Sequence, residues 1–242
     1  MKAAGAIFLL SIAILMGNSK AFAQRKKVEN LPKFDFRRFH FGFTIGINYA
    51  NFFVNRTTDI ASWDTIAVIE PQPQPGFNLG IVGDYHISPV FNFRFIPALS
   101  FAQRNLEYTF AKPVNGNGFQ EIVTKPVEST FIDFPLNIKY RSARVNNFAA
   151  YVIGGFKYSI DLASQEDVIT GYGEEIVKIS RHDYGFEAGM GFDFFLEYFK
   201  FSTELKLSFG MPNLIIKDGT LYSDPIRKLT SRIILVSFHF EG

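Results

Sequence analysis

Between Asp183 and Leu196 the chain reads DYGFEAGMGFDFFL, and its side chains alternate. Tyr184, Phe186, Ala188, Met190, Phe192, Phe194 and Leu196 hold the even positions, nearly all of them large and apolar. Asp183, Gly185, Glu187, Gly189, Gly191 and Asp193 hold the odd ones, which are ionic or lack a side chain. A period of two places successive side chains on opposite faces of an extended backbone, so this is a strand. It is far longer than the roughly 5–6 residues of a globular strand. One greasy face and one small or ionic face over such a length suit a barrel wall crossing a lipid bilayer.

The pattern recurs. In a first strand Phe39, Phe41, Phe43, Ile45, Ile47 and Tyr49 oppose His40, Gly42, Thr44, Gly46 and Asn48. A second sets Phe77, Leu79, Ile81, Tyr85 and Ile87 against Asn78, Gly80, Asp84 and His86. In the third, Phe91, Phe93, Phe95, Leu99 and Phe101 oppose Asn92 and Arg94. Beyond Ala102 its apolar parity changes to Leu106, Tyr108 and Phe110, which predicts a bulge near Gln103. The fourth carries Ile132, Phe134, Leu136, Ile138 and Tyr140 opposite Asp133, Asn137, Lys139 and Arg141. Its Pro135 removes a ladder hydrogen bond and predicts a local bulge or a water. Phe148, Val152, Phe156, Tyr158, Ile160 and Leu162 mark the fifth strand, and the stretch at Asp183 is the sixth. The seventh sets Phe199, Phe201, Leu205, Leu207 and Phe209 against Lys200, Glu204 and Lys206; Ile234, Val236, Phe238 and Phe240 mark the last.

Long polar connections alternate with tight ones. The long ones are Asn55–Pro75 (ending PQPQP), a run around Asn115-Gly116-Asn117-Gly118, Ala163–Ile179 and Leu214–Lys228; the tight ones lie at Ser88-Pro89, Ser142–Asn147 and Glu197–Phe199. Such alternation predicts an all-β fold, an eight-stranded antiparallel up-and-down transmembrane β-barrel over residues 39–242. An even strand number puts both termini on the periplasmic side of an outer membrane, with the long loops outside. Tyr49, Tyr85, Tyr108, Tyr140 and Tyr184 lie on the greasy face near strand ends, where an aromatic girdle belongs. The rival is a soluble ligand-binding barrel with the greasy face inside. Volume excludes it: the interior of a small eight-stranded barrel holds on the order of a dozen side chains, far fewer than these strands carry on that face.

Met1–Ala23 combines Lys2, an apolar core from Ala3 to Met16 and a small-x-small end at Ala21-Phe22-Ala23, a secretory signal cleaved before Gln24. It holds Lys2 and Lys20 and no acid, so the 25 basic residues become 23 against 23 acidic ones. That neutrality offers no basic surface for nucleic acid. Residues 24–38, QRKKVENLPKFDFRR, have no periodicity and form a basic periplasmic lead-in. They read as a solvated approach to the first strand; Arg25, Lys26, Lys27, Arg37 and Arg38 are the residues placed to touch a partner. With no cysteine and four scattered histidines there is little material for a metal site, a cofactor or a thiol nucleophile.

The lumen face collects Asp84, Arg94, Asp133, Lys139, Lys157, Asp161, Glu187, Asp193, Glu204 and Lys206. Buried charges require partners, so these read as the ionic filling of a narrow barrel and not as a catalytic or conducting site. Ser237 and His239 share a strand face but lack an orienting carboxylate at any recognisable spacing. Gly189-x-Gly191 is no phosphate loop, since no helix follows it. Asp59 and Asp64 lack the spacing of a cation loop. No catalytic, cofactor or small-molecule site is predicted; the predicted partners are outer-membrane lipid and other proteins.

Phe131-Ile132-Asp133-Phe134-Pro135-Leu136-Asn137-Ile138-Lys139-Tyr140 resembles a strand of outer-membrane barrels from Bacteroidetes. Tyr151-Val152-Ile153-Gly154-Gly155 is similar to the strand that follows it there, and Tyr184-Gly185 with Ala188-Gly189-Met190-Gly191 to its glycine-spaced strand. With its basic lead-in, phenylalanine-rich strands and SRIILVSFHFEG ending, the chain looks most like the PorT (SprT) branch over about 200 residues. That resemblance implies an accessory or assembly role in type IX protein secretion, the system that also exports gliding-motility components, and supplies no catalytic residue. It departs from the pattern at its end, where Glu241-Gly242 follows the aromatic Phe240. The alternatives are a structural or adhesive barrel and a lipid-modifying enzyme.

Overall fold

The computed structural model describes residues 29–57, 66–110, 121–166 and 176–242. The signal segment, Arg25, Lys26 and Lys27, Asp59 and Asp64, and the Gly/Asn run at 115–118 lie outside the described residues. Among those described, no helix is long and apolar enough to cross a membrane. Nine strand segments appear: β1 Phe39–Arg56, β2 Ile66–His86, β3 Phe91–Phe95, β4 Ala98–Phe110, β5 Ile122–Arg141, β6 Phe148–Asp161, β7 His182–Phe195, β8 Lys200–Gly210 and β9 Ile226–Glu241. Both β3 and β4 pair with β2 on one side and β5 on the other, so together they are one wall strand and the barrel has eight. All pairings are antiparallel, and β1 closes the ring on β9 from Gly42↔Glu241 to Arg56↔Ile226. Closure leaves no lipid-facing ladder edge, the condition for crossing hydrocarbon.

The greasy face points outward. Phe41, Ile47, Ile81, Leu136, Val152, Phe186, Met190 and Phe192 are exposed, while His40, Asn48, Arg94, Lys139 and Asp193 are buried inside. Tyr49, Tyr140 and Tyr184 share the outer face. Tyr108 does not: it is fully buried and its hydroxyl donates to the Tyr222 carbonyl at 3.0 Å.

That misplacement has a structural cause. No bulge exists near Gln103; β4 runs in unbroken register against β5 from Ala98↔Asp133 to Thr109↔Ile122. Ser100, Ala102, Arg104, Leu106, Tyr108 and Phe110 all face inward. What changes is the solvent. Strands of 21 residues (β2) and 20 residues (β5) far exceed the ~9–11 needed to cross a bilayer, so they project beyond it at the rim opposite the termini. There the wall faces water, its outer positions become Gln103, Asn105, Glu107 and Thr109, and its inner positions become apolar. Phe52, Leu106, Tyr108, Val127, Leu214 and Leu229 belong to one buried cluster that closes this far end. The bulge lies instead on β2, between Pro73 and Phe77. Gly76 sits there because a Cβ would meet the Phe101 carbonyl oxygen at 2.1 Å.

Two connections are shorter than the sequence suggests. Most of Asn55–Pro75 is strand, with only 57–65 between β1 and β2, and Ile226 to Lys228 already belong to β9. Pro71 and Pro73 are tolerated for a reason of register, whereas Pro75 lies within the β1 ladder opposite Tyr49. The β1–β2 ladder stops at Ala50↔Gln74, and above it β2 pairs with β4 alone. A spacing of two puts the proline nitrogens on one edge, where no donor is required.

Pro135 causes no bulge either, since β5 stays in register with β6 through Pro135↔Lys157. Its other neighbour is interrupted at the same level: β3 ends opposite Leu136, β4 starts opposite Asp133, and Ile96-Pro97 lies between. Pro97 and Pro135 both lie in this interruption, so one gap serves both. A cavity of about 30 Å³ adjoins them, bordered by Pro135, Ile96 and Ala98 and large enough for a water.

Candidate functional site

The lumen is the place where chemistry is concentrated. All ten ionic residues predicted to line it are buried there. Arg94 lies at the centre of the half nearest the termini. Its guanidinium reaches Asp84 at 2.7 Å, Glu241 at 2.9 Å and Glu204 at 3.6 Å. Lys200 takes the other oxygen of Glu241 at 2.7 Å. The penultimate Glu241, a departure from the expected aromatic ending, is thus an interior ligand for two cations. Its strand, β9, ends where the lumen needs a carboxylate.

Further along, Lys139 grips Asp193 through both oxygens, at 2.8 and 2.9 Å, and Ser202 donates to the same carboxylate at 2.6 Å. Lys206 bridges Glu187 at 3.2 Å and Glu204 at 3.6 Å, and Asn137 donates to Glu187. Lys157 lies 3.8 Å from Asp133, which also accepts from Ser159. Asp161 serves the backbone instead, accepting from the amides of Thr130 and Ala163. Tyr151 crosses the lumen over Gly191, donates to Glu204 at 2.9 Å and takes the Lys139 ammonium on its ring at 3.7 Å. Gly191 is required beneath it: a Cβ would lie 2.4 Å from the ring.

Arg104 marks the border between the ionic filling and the apolar closure. It is fully buried, donates to Ser129 and Ser231, and lies between the rings of Phe52 at 4.2 Å and Phe131 at 5.1 Å. Cation–π contact suits a guanidinium there, since it is more weakly hydrated than an ammonium. Glu241 and Arg104 were not read as lumen residues, and Lys200, read on the polar face of its strand, was not counted in the ionic network. Arg104 lies beyond the change of polarity.

The described part of the lead-in, residues 29–38, is packed against the open end through Phe34 and Asp35, where a solvated approach was expected. A short 3-10 turn at Phe34–Phe36 drives Phe34 into the open end, stacked on His40 at 3.7 Å and edge-on to Phe195. Asp35 pairs with Arg141 at 2.8 Å, and Glu29 and Asn30 hold Arg144. Arg37 and Arg38 remain exposed. Ser237 and His239 do face the lumen, where both are buried and Glu204 lies 3.5 Å from the His239 ring.

Residues 22–215 match the sequence profile of the outer membrane protein beta-barrel domain. The chain belongs to that family. It is therefore an integral outer-membrane β-barrel, and the closed ladder, outward greasy face and ionic lumen are the family fold realised in this sequence. No curated protein matches the chain. Among solved structures it is similar to OprG of Pseudomonas aeruginosa, at 10% identity over 84% of this chain and 95% of that one, with a TM-score of 0.46. Neisserial surface protein A matches at 8% identity over 83% and 96%, with a TM-score of 0.40. Ail of Yersinia pestis matches at 12% over 85% and 100%, with a TM-score of 0.39.

Proposed function

We propose that this outer-membrane barrel is a non-enzymatic component of protein secretion that acts by contact, with both termini in the periplasm. The observation that carries the reading is the closed lumen: an apolar cluster at one end, ion pairs through the middle and Phe34 at the other. A filled eight-stranded barrel passes no polypeptide, so a role in export falls to its surfaces and its lipid-facing wall. The resemblance of its strands and ending to the PorT branch supports type IX secretion as the pathway. The basic segment Arg25–Lys27 and the polar far rim are the contact surfaces this reading requires. The projecting rim also favours a second reading, a structural or adhesive barrel with no part in export.

Deletion of the gene separates the two. The secretion reading expects ordinary outer-membrane proteins to stay in place while type IX cargo accumulates unprocessed in the periplasm. Reversing the charge of Arg25, Lys26 and Lys27 should partly reproduce that defect. Normal cargo export from the deletion strain leaves the structural barrel as the better account.

A further inference from the structure

The rim where β1 starts and β9 ends holds a cleft of about 490 Å³ between residues 35–38 and the turn joining β2 to β3. Arg37, Arg38, Arg141 and Arg144 line it, with Asp35 as the one carboxylate among the described lining residues. Cation exceeds anion there even with Asp35 paired to Arg141 at 2.8 Å and Arg144 shared between Asp35 and Glu29 at 3.6 Å each. The Arg141 side chain is only 5% exposed, yet its Nε and Nη1 make no hydrogen bond. Leaving such donors unmet inside a protein costs free energy that an acceptor entering the cleft recovers.

The position of the cleft indicates what that acceptor is. On the lipid side of the same strand ends stand the aromatic pairs Phe39–Tyr85, with centroids 4.8 Å apart, and Phe91–Tyr140, at 5.1 Å. Aromatic pairs of this kind mark the headgroup level of a bilayer. Phe36 also lines the cleft and is 87% exposed, which is unfavourable in water but suits an interface with lipid. Arginine forks donate in plane to the paired oxygens of a phosphate, and an ammonium headgroup would be repelled by the same cations.

We propose that this cleft holds the phosphate of an anionic phospholipid from the leaflet facing the termini, with Phe36 beside the glycerol and acyl region. The inference rests on the outer-membrane assignment and is independent of any role in secretion. The test is native mass spectrometry of the purified full barrel in detergent, given equal amounts of dioleoyl-phosphatidylglycerol and dioleoyl-phosphatidylcholine. One phosphatidylglycerol per barrel should be retained, at about tenfold preference over phosphatidylcholine. Arg37→Ala with Arg38→Ala touches only exposed side chains, and should weaken retention about fivefold per arginine, the factor expected of one basic residue near an anionic surface. Lys217→Ala with Arg227→Ala, at the opposite rim, should change nothing. The idea fails if the two lipids are held equally or if both double variants lose the lipid alike. Displacement by millimolar inorganic phosphate would overturn it in favour of a free-anion site, and displacement by hexaglutamate in favour of an acidic peptide.

Discussion

The charged side chains of the network around Arg94 and Lys139 are held by partners on other strands, which makes single replacements there more damaging than paired ones. Lys139 and Asp193 belong to β5 and β7 and meet at 2.8 Å with both side chains fully buried. Removing one member strands the other in a medium that cannot solvate it. Lys139→Met should therefore cost about 3–5 kcal/mol in urea unfolding of the lipid-embedded protein, and adding Asp193→Leu should restore most of the loss. Equal damage from the single and double variants would mean the lumen tolerates unpaired charge. The residues of this network were legible from parity alone wherever a strand was long enough to count along. Glu241 shares the parity of Ser237 and His239, but its role as a ligand of two cations appears only when the barrel closes and brings Arg94 and Lys200 to it.

At the scale of the strand, alternation reports the surroundings of each face and not the backbone itself. On β4 the apolar positions change phase beyond Ala102 while the ladder to β5 continues undisturbed. A bulge and a passage from lipid to water leave the same mark in sequence. They are distinguished by the outward residues: Gln103, Asn105, Glu107 and Thr109 require water, and β9 makes the same passage from Val236 and Ile234 to Arg232 and Lys228. This fixes which outer positions meet hydrocarbon. Leu136→Arg and Phe192→Arg, on the exposed greasy face, should each lower stability in lipid by about 2–4 kcal/mol if they lie at the midplane. Glu70→Arg, on the exposed part of β2 beyond the bilayer, should cost little. The same unfolding measurement applied to all three locates the hydrocarbon band, and equal tolerance would refute it.

For the whole molecule, closure at three levels predicts electrical silence. The far end is sealed by the apolar cluster, the middle by ion pairs around a cavity of about 30 Å³, and the near end by Phe34. Planar-bilayer recordings of the intact protein should show no stable conductance steps, and removal of residues 29–38 should still open none, because the Arg94 network remains beneath them. Reproducible steps from the intact barrel would revive a porin. What the sequence alone determined was the class of object: strand number, the outward greasy face and the ionic character of the lumen all follow from a period of two repeated along the chain, since side-chain direction on a strand is a local property. Tertiary structure decided everything that depends on two distant segments meeting. Pro135 is harmless because Ile96-Pro97 breaks the neighbouring strand at its level, Pro71 and Pro73 lie in strand because β1 has already turned away, and an aperiodic lead-in becomes a plug because Phe34 finds His40 and Phe195 at the open end. None of those partners is near in sequence, and no local pattern encodes them.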